Sequence, residues 1–475
     1  MVPLAFLNLP VTSNQFTFSC NHHIVQSNET IMNEASKKYA GERDGESKMK
    51  ENEKKEKIFS TSFIFVVIGQ IISLFGNGIL RFALPLHLLN ITGSPALYGL
   101  VSALAFIPIV LLTPIGGLIA DRVNKRNIMV CLDFSVATIM TVFFLISGKV
   151  NMVVLLMIVL MMLYGIAGAY QPAVQASIPL LVKEEGIVPA NAIINIVSSL
   201  AGLVGPIIGG VCYSVAGLQP IVLLSIVCFT LSAVMELFIK MQHVKTPSEG
   251  SMIKVAVGDM KESIYYVKEE QPIIIPVLLM CVVFNAFVSA FLMIALPTMV
   301  TQMLHFAPDT ASRLLGVTEA VMACGGLCGG ICSNAVSKKM DIKNIDQILI
   351  ISAVSMIPMG IVFLLPTLDM LRFVVIAVSS FLVMACATIF SIIAIAYIQK
   401  NVPERMVGKI IALSMAVSNC ACPIGQSVYG LLLQYCRSQL GWMIIAVAVI
   451  SAGLAKFFGI QMQSKMTVIS QAEKI

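Results

Sequence analysis

GGLIADRVNKR (residues 116–126) and GGICSNAVSKK (residues 329–339) each close a long apolar run, 213 positions apart. At that offset Gly116/Gly329, Gly117/Gly330, Val123/Val336 and Lys125/Lys338 are identical, and Arg126/Lys339 keeps its charge. A second echo lies near offset 217, where Gly205-Pro206 meets Cys422-Pro423, with Gly209 and Gly425 close behind the two prolines. Both matches fall at about half the apolar length, so the chain reads as two copies of one unit.

Composition says where those copies reside. Of 475 residues, 57% are hydrophobic and 12% charged, with a mean hydropathy of +0.90. Soluble domains average about 45–50% apolar and about 25% charged. A soluble enzyme, a nucleic-acid binder and a secreted disulfide scaffold are therefore excluded, which leaves a polytopic membrane protein. Polar or Gly/Pro punctuation recurs every ~30–35 residues, and a helix needs ~20 residues to cross the hydrocarbon. Twelve spans follow, at about 58–84, 96–120, 127–147, 151–178, 189–214, 218–241, 272–301, 311–335, 347–366, 370–398, 406–433 and 439–460. No segments of barrel-type alternation occur, so the expected fold is all-α, two six-helix bundles (58–241 and 272–460) joined by a linker over 242–271. GDMKESIYYVKEE in that linker suggests an amphipathic helix on the membrane face.

Lys and Arg crowd the even-numbered turns (Arg122, Lys125 and Arg126; Lys183; Lys338, Lys339 and Lys343; Lys400, Arg405 and Lys409) and the linker. The odd turns hold only Lys149, Arg313, Arg372 and Arg437. The positive-inside rule then places the even turns, the linker and both termini in the cytoplasm. Residues 1–57 carry eight basic and eight acidic side chains and read as a disordered cytoplasmic tail, with Met32 and Met49 as alternative starts. Residues 461–475 read as a second tail.

Gly117 to Arg126 resembles the cytoplasmic motif G-x-L-A-D-R-x-G-[RK]-[RK] of the major facilitator superfamily, with Asn124 in place of a glycine as a residue that tolerates a left-handed turn. ALPLHLLNITGSPALYGL (83–100), AYQPAVQASIPLLV (169–182), ANAI (190–193) and NVPERMVGKI (401–410) are similar to its twelve-span bacterial drug and macrolide efflux branch. The resemblance implies a cytoplasmic latch formed by Gly117, Asp121, Arg122, Lys125 and Arg126. Asp121 would meet the amino end of the eleventh helix at Pro403 and Glu404, where orphan N–H groups favour an anion. Asn334 lacks the charge, which makes the latch one-sided. Gly202, Gly205, Pro206 and Gly209 resemble a motif the family associates with antiporters; close helix packing is their bland alternative.

Ionisable groups inside spans are functional candidates by default. Glu319 is the deepest acid, ~12 Å inside the eighth span at 1.5 Å per residue. An acid that is neutral in an apolar setting and ionised in a wet one suits proton coupling; pairing with a structural cation or polar residue is the alternative. Asp133 is the second proton-coupling candidate, with pairing to the basic latch residues as its bland reading. Glu236 is expected to pair with Lys240 at i,i+4. Arg81, near the outer end of the first span, either snorkels to water or meets an anionic substrate or Glu319. Gln70, Asn77, Tyr164, Tyr170, Gln171, Gln175 and Asn285 are candidates to line a substrate cavity, with interhelical hydrogen bonding as the alternative.

Eleven of twelve cysteines fall in or beside spans, so Cys324, Cys328 and Cys332 at i, i+4, i+8 read as small packing residues rather than a metal path. No nucleophile triad, phosphate loop or metal set is visible, so neither an enzyme nor a cofactor is expected. The reading is a monomeric secondary transporter of the plasma membrane exchanging a lipophilic drug or toxin for protons, its partners a small molecule, protons and the bilayer. A metabolite symporter or uniporter and a transport-dead sensor are the alternatives.

Overall fold

A computed structural model describes residues 60–183, 186–241, 252–338, 340 and 342–472, leaving the tail expected over 1–57 and residues 242–251 of the linker outside the described residues. Twelve helices are long and apolar enough to cross a membrane, and among the described residues there is no sheet. The first six are Thr61–Thr92, Pro95–Arg122, Lys125–Ile146, Met152–Leu181, Ile187–Ala216 and Leu218–Leu237. The last six spans are Ile274–Met303, helix Pro308–Ser337, Ile342–Leu364, and helices Asp369–Asn401, Glu404–Tyr435 and Leu440–Ala472. Outward faces stay apolar, as at Leu145, Val227 and Trp442, because lipid tails are their solvent.

Local chemistry sets the ends, and in places it moves them. The first helix starts where Ser60 Oγ accepts from Phe63 N at 3.1 Å. It does not stop at residue 84. It runs through Pro85 to Thr92, where Gly93 at φ 59° returns its N–H to Leu89 O. The final helix likewise continues to Ala472 through much of the expected second tail. Asn124 is not left-handed (φ −59°); its Oδ1 accepts from Arg126 N at 3.0 Å and caps the third helix. The seventh span carries two π-helical stretches, Phe284–Ser289 and Met299–Met303.

Between the halves, helix Met252–Glu269 buries Tyr266 and Val267 against Ile274, Ile398, Val402, Met406 and Ile410. Glu262 also accepts from Arg405 (3.2 Å) and Lys409 (2.7 Å) on the eleventh helix, so the linker helix is fastened to the second half. We call this end of the molecule the linker end.

Candidate functional site

The halves meet tightly at the end remote from the linker. There the second helix crosses the eleventh at Gly99 and Gly430, where a Cβ on Gly99 would lie 2.5 Å from Gln426 O. The fifth crosses the eighth at Gly210 and Gly316, where a Cβ on Gly316 would lie 2.5 Å from Pro206 O. Only glycine allows so close an approach of two backbones. Ser94 Oγ donates to Gln434 Oε1 (3.0 Å), Arg313 Nε to Ser214 Oγ (2.7 Å) and Gln302 Nε2 to Leu89 O (3.3 Å), all across the two halves.

Toward the linker end the fifth and eighth helices part. A space of about 610 Å³ opens between Ser199 and Gly202 of the fifth helix, Ala323, Gly326, Leu327, Gly330 and Ile331 of the eighth, and Thr388 of the tenth. Nothing lies within 4 Å of a Cβ placed on Gly202. Gly205 and Gly209, by contrast, pack on Gly78 and Phe82, and Pro206 offers its carbonyl to the Gly316 crossing. The four residues of that motif therefore divide, three into packing and one onto the opening.

Glu319 is half-buried, one helical turn from Ala323 toward the closed end. Among the described residues no hydrogen bond or ion pair holds its carboxylate, so the structural-cation partner expected as its alternative is not found there. The Tyr98 hydroxyl donates to Met293 O across the halves at 3.4 Å. Arg81 lays its guanidinium 4.4 Å from the Tyr164 ring centroid, and Tyr164 lies 5.8 Å from Phe106. Such a cation–π contact contributes ~0.5–2 kcal/mol. Arg81 stands well inside its helix, which extends to Thr92, ~16 Å further along the axis, rather than at the outer end expected of a span closing at residue 84.

The remaining polar candidates do not share this place. Gln70 and Tyr170 are buried inside the first half, and Asn77 and Gln171 line a cavity of about 30 Å³ there with Ser73 and Asp133. Gln175 is exposed beyond them, and Asn285 turns its amide to Cys281 O at 3.0 Å on its own helix. Asp133 accepts from Ser73 Oγ at 3.3 Å and pairs with no basic side chain among the described ones. Glu236 does not pair with Lys240: its helix ends at Leu237, and its carboxylate accepts from Tyr170 at 2.8 Å. Of the latch residues, the side chains of Gly117, Asp121 and Arg122 lie outside the described ones, as do those of Asn334 and Glu404. Lys125 is buried, and Arg126 reaches Ile239 O at 3.4 Å beyond the sixth helix.

This architecture has known counterparts. A bacterial homologue of the iron transporter ferroportin, in an inward-facing state, superposes with a TM-score of 0.64 at 17% identity, covering 84% of this chain and 98% of that one. A D-xylose–proton symporter does so at 0.61 and 14% identity, covering 83% and 96%. Macrolide efflux protein A of Streptococcus pyogenes is 27% identical over 165 residues, 34% of this chain, and the chain spans 41% of that relative's length. Its namesake from Enterococcus faecalis is 22% identical over 333 residues, 68% of this chain and 97% of the relative. The sequence profile of the Major Facilitator Superfamily matches residues 66–426, and to that superfamily the chain belongs.

Proposed function

We propose that the chain is a secondary active transporter of the plasma membrane that exports lipophilic drugs or toxins by alternating access, in exchange for protons. The observation that carries this reading is the pair of unlike ends: glycine-tight crossings at one, and an opening of about 610 Å³ at the other that leads toward Glu319. Lys and Arg crowd the linker end, so that end and both termini are assigned to the cytoplasm and the conformation is inward-facing. The chain works as a monomer.

Substrate class follows from the lining. Small and apolar residues with two hydroxyls, Ser199 and Thr388, suit an amphipathic molecule, while an unpaired carboxylate beside the opening suits a cationic group on it. Glu319 can then hold a proton or the cargo's cation in turn, which is what antiport requires. The macrolide-efflux relatives support the same class. The test is reconstitution of the full chain in liposomes, with an imposed pH gradient and labelled erythromycin or a cationic dye. Uphill accumulation that collapses with a protonophore is expected; transport indifferent to the pH gradient would refute proton exchange.

A further inference from the structure

A second acidic site lies inside the first half, away from the opening. Asp133 of the third helix and Glu236 of the sixth are 2% and 1% exposed, and Gln70 of the first is 0% exposed. Gln70 Nε2 donates to Tyr170 OH at 2.6 Å, and Tyr170 OH donates to Glu236 Oε1 at 2.8 Å. Ser73 Oγ donates to Asp133 Oδ1, while Ser232 Oγ spends its proton on Gly69 O at 3.0 Å. Three buried oxygens are left without a donor: Asp133 Oδ2, Glu236 Oε2 and Gln70 Oε1. A cavity of about 30 Å³ lined by Asp133, Ser73 and Tyr170 has room for a water or two. The other groups facing the cluster are Asn77, Gln171 and Phe229. Arg126, two turns before Asp133, directs NH1 to Ile239 O instead.

The duplicated half shows what is missing. Asp346 stands 213 residues after Asp133, the offset at which GGLIADRVNKR and GGICSNAVSKK align. Asp346 lies on the ninth span, is fully buried, and pairs with Lys456 of the twelfth at 3.2 Å. The third and sixth helices are the counterparts of those two spans. In the second half an acid meets a lysine; in the first half an acid meets a second acid. Two buried carboxylates with no cation are far costlier than an ion pair, and a proton is the smallest group that both removes charge and supplies the absent donor.

The geometry points to the Asp133–Glu236 pair as a proton-carrying site of the transport cycle, distinct from Glu319. Loading converts one carboxylate and a proton into a carboxylic acid at Asp133 Oδ2 or Glu236 Oε2, and unloading returns the proton through the adjoining cavity. Tyr170 ties the pair to the first and fourth helices, which also carry Arg81 and Tyr164, so the occupied and empty pair hold these helices with different hydrogen bonds.

This inference rests on the proton-exchange reading for its role in transport, but the site can be tested alone. Infrared difference spectra of the purified full chain, taken between acid and alkaline pH, report the C=O stretch of protonated carboxyls. The wild type should lose one more protonated carboxyl than the Asp133→Asn, Glu236→Gln double variant. Glu236→Lys should likewise lack that carboxyl signal, because it restores the acid–lysine arrangement of Asp346 and Lys456, and for that reason it should stay folded if the double variant does not. Proton-driven erythromycin accumulation should fall at least tenfold in both. A full carboxyl signal in folded Glu236→Lys would overturn the site, and so would undiminished accumulation in that variant. If the carboxyl signal follows the pair but the wild type moves no protons with erythromycin, proton exchange fails and with it the pair's place in the cycle, while the site as a proton store stands.

Discussion

Gly316→Ala should empty the linker-open conformation. A methyl group there would sit 2.5 Å from Pro206 O, 3.2 Å from Pro206 C and 3.4 Å from Gly210 Cα, all backbone atoms that no rotamer change can move aside. The fifth and eighth helices must separate by several tenths of an ångström, and overpacking of this kind costs about 1–3 kcal/mol. That strain falls on the conformation closed at the end remote from the linker, since alternating access parts the same crossing in the other conformation. At 1.4 kcal/mol per factor of ten, the ratio of the two shifts by roughly 5- to 150-fold. The assay is maleimide labelling of Ser199→Cys, which lines the opening, in a background with native cysteines replaced. Labelling should slow at least fivefold with Gly316→Ala, and Ser94→Cys at the closed end should label faster. Gly202→Ala is the control, because nothing lies within 4 Å of its added methyl, and it should leave Ser199→Cys labelling as fast or faster. Equal rates for the two alanine variants would refute the reasoning.

Glu319→Gln removes the one charge that proton and cargo would share. Binding of a cationic dye, read by fluorescence, should strengthen as pH rises in the wild type, be flat with pH in the variant, and weaken about tenfold overall, the worth of one charge-assisted contact; a variant that keeps the slope would clear Glu319 of the role. Lys456→Ala should cost about 3 kcal/mol of thermal stability in detergent and Asp346→Asn only about 1, because the first strands a fully buried carboxylate and the second a lysine that is 51% exposed; equal losses would contradict this account of the pair. A cysteine at position 124 should label from the cytoplasm and one at position 92 from outside, and labelling of both from one side would overturn the span order.

The periodic signals were readable in the sequence, and the spatial ones were not. Apolar length and turn residues are local, so twelve spans and the duplication could be read directly. Helix ends were harder to read. The first span, expected to end at residue 84, runs two turns further to the stop at Gly93, so Arg81 lies well inside the helix over Tyr164 rather than at its outer end. Facing was harder still. Helices apolar all round carry little phase information, so Gln70, Tyr170 and Tyr164 looked alike as cavity candidates. The structure puts the first two in the interior of one half and the third half-buried against that half's core, under Arg81. Glu236 was assigned a neighbour four residues away because sequence offers only local partners; its actual donor, Tyr170, is 66 residues distant. Asp133 and Asp346 share the duplication offset, and the sequence alone thereby marks that position as structurally special.

The composition of the closed end explains why it can also open. Lipid tails are as apolar as leucine, so joining the two halves gains little from the hydrophobic effect, and packing and polar contacts must hold them together. Part of that work falls to bare backbone at Gly99/Gly430 and Gly210/Gly316, with four described side-chain hydrogen bonds at Ser94–Gln434, Tyr98–Met293, Arg313–Ser214 and Gln302–Leu89. Each such bond has a net worth of about 1 kcal/mol. A seal of that strength lies within reach of a proton or a bound cation that favours one conformation by a few kcal/mol. A larger or greasier interface would close more firmly and would then need more differential binding than one exchanged charge supplies. Glycine at the crossings therefore does two things at once: it lets the helices approach closely enough to exclude solvent, and it leaves no interlocking side chains to be pulled apart when the halves rock.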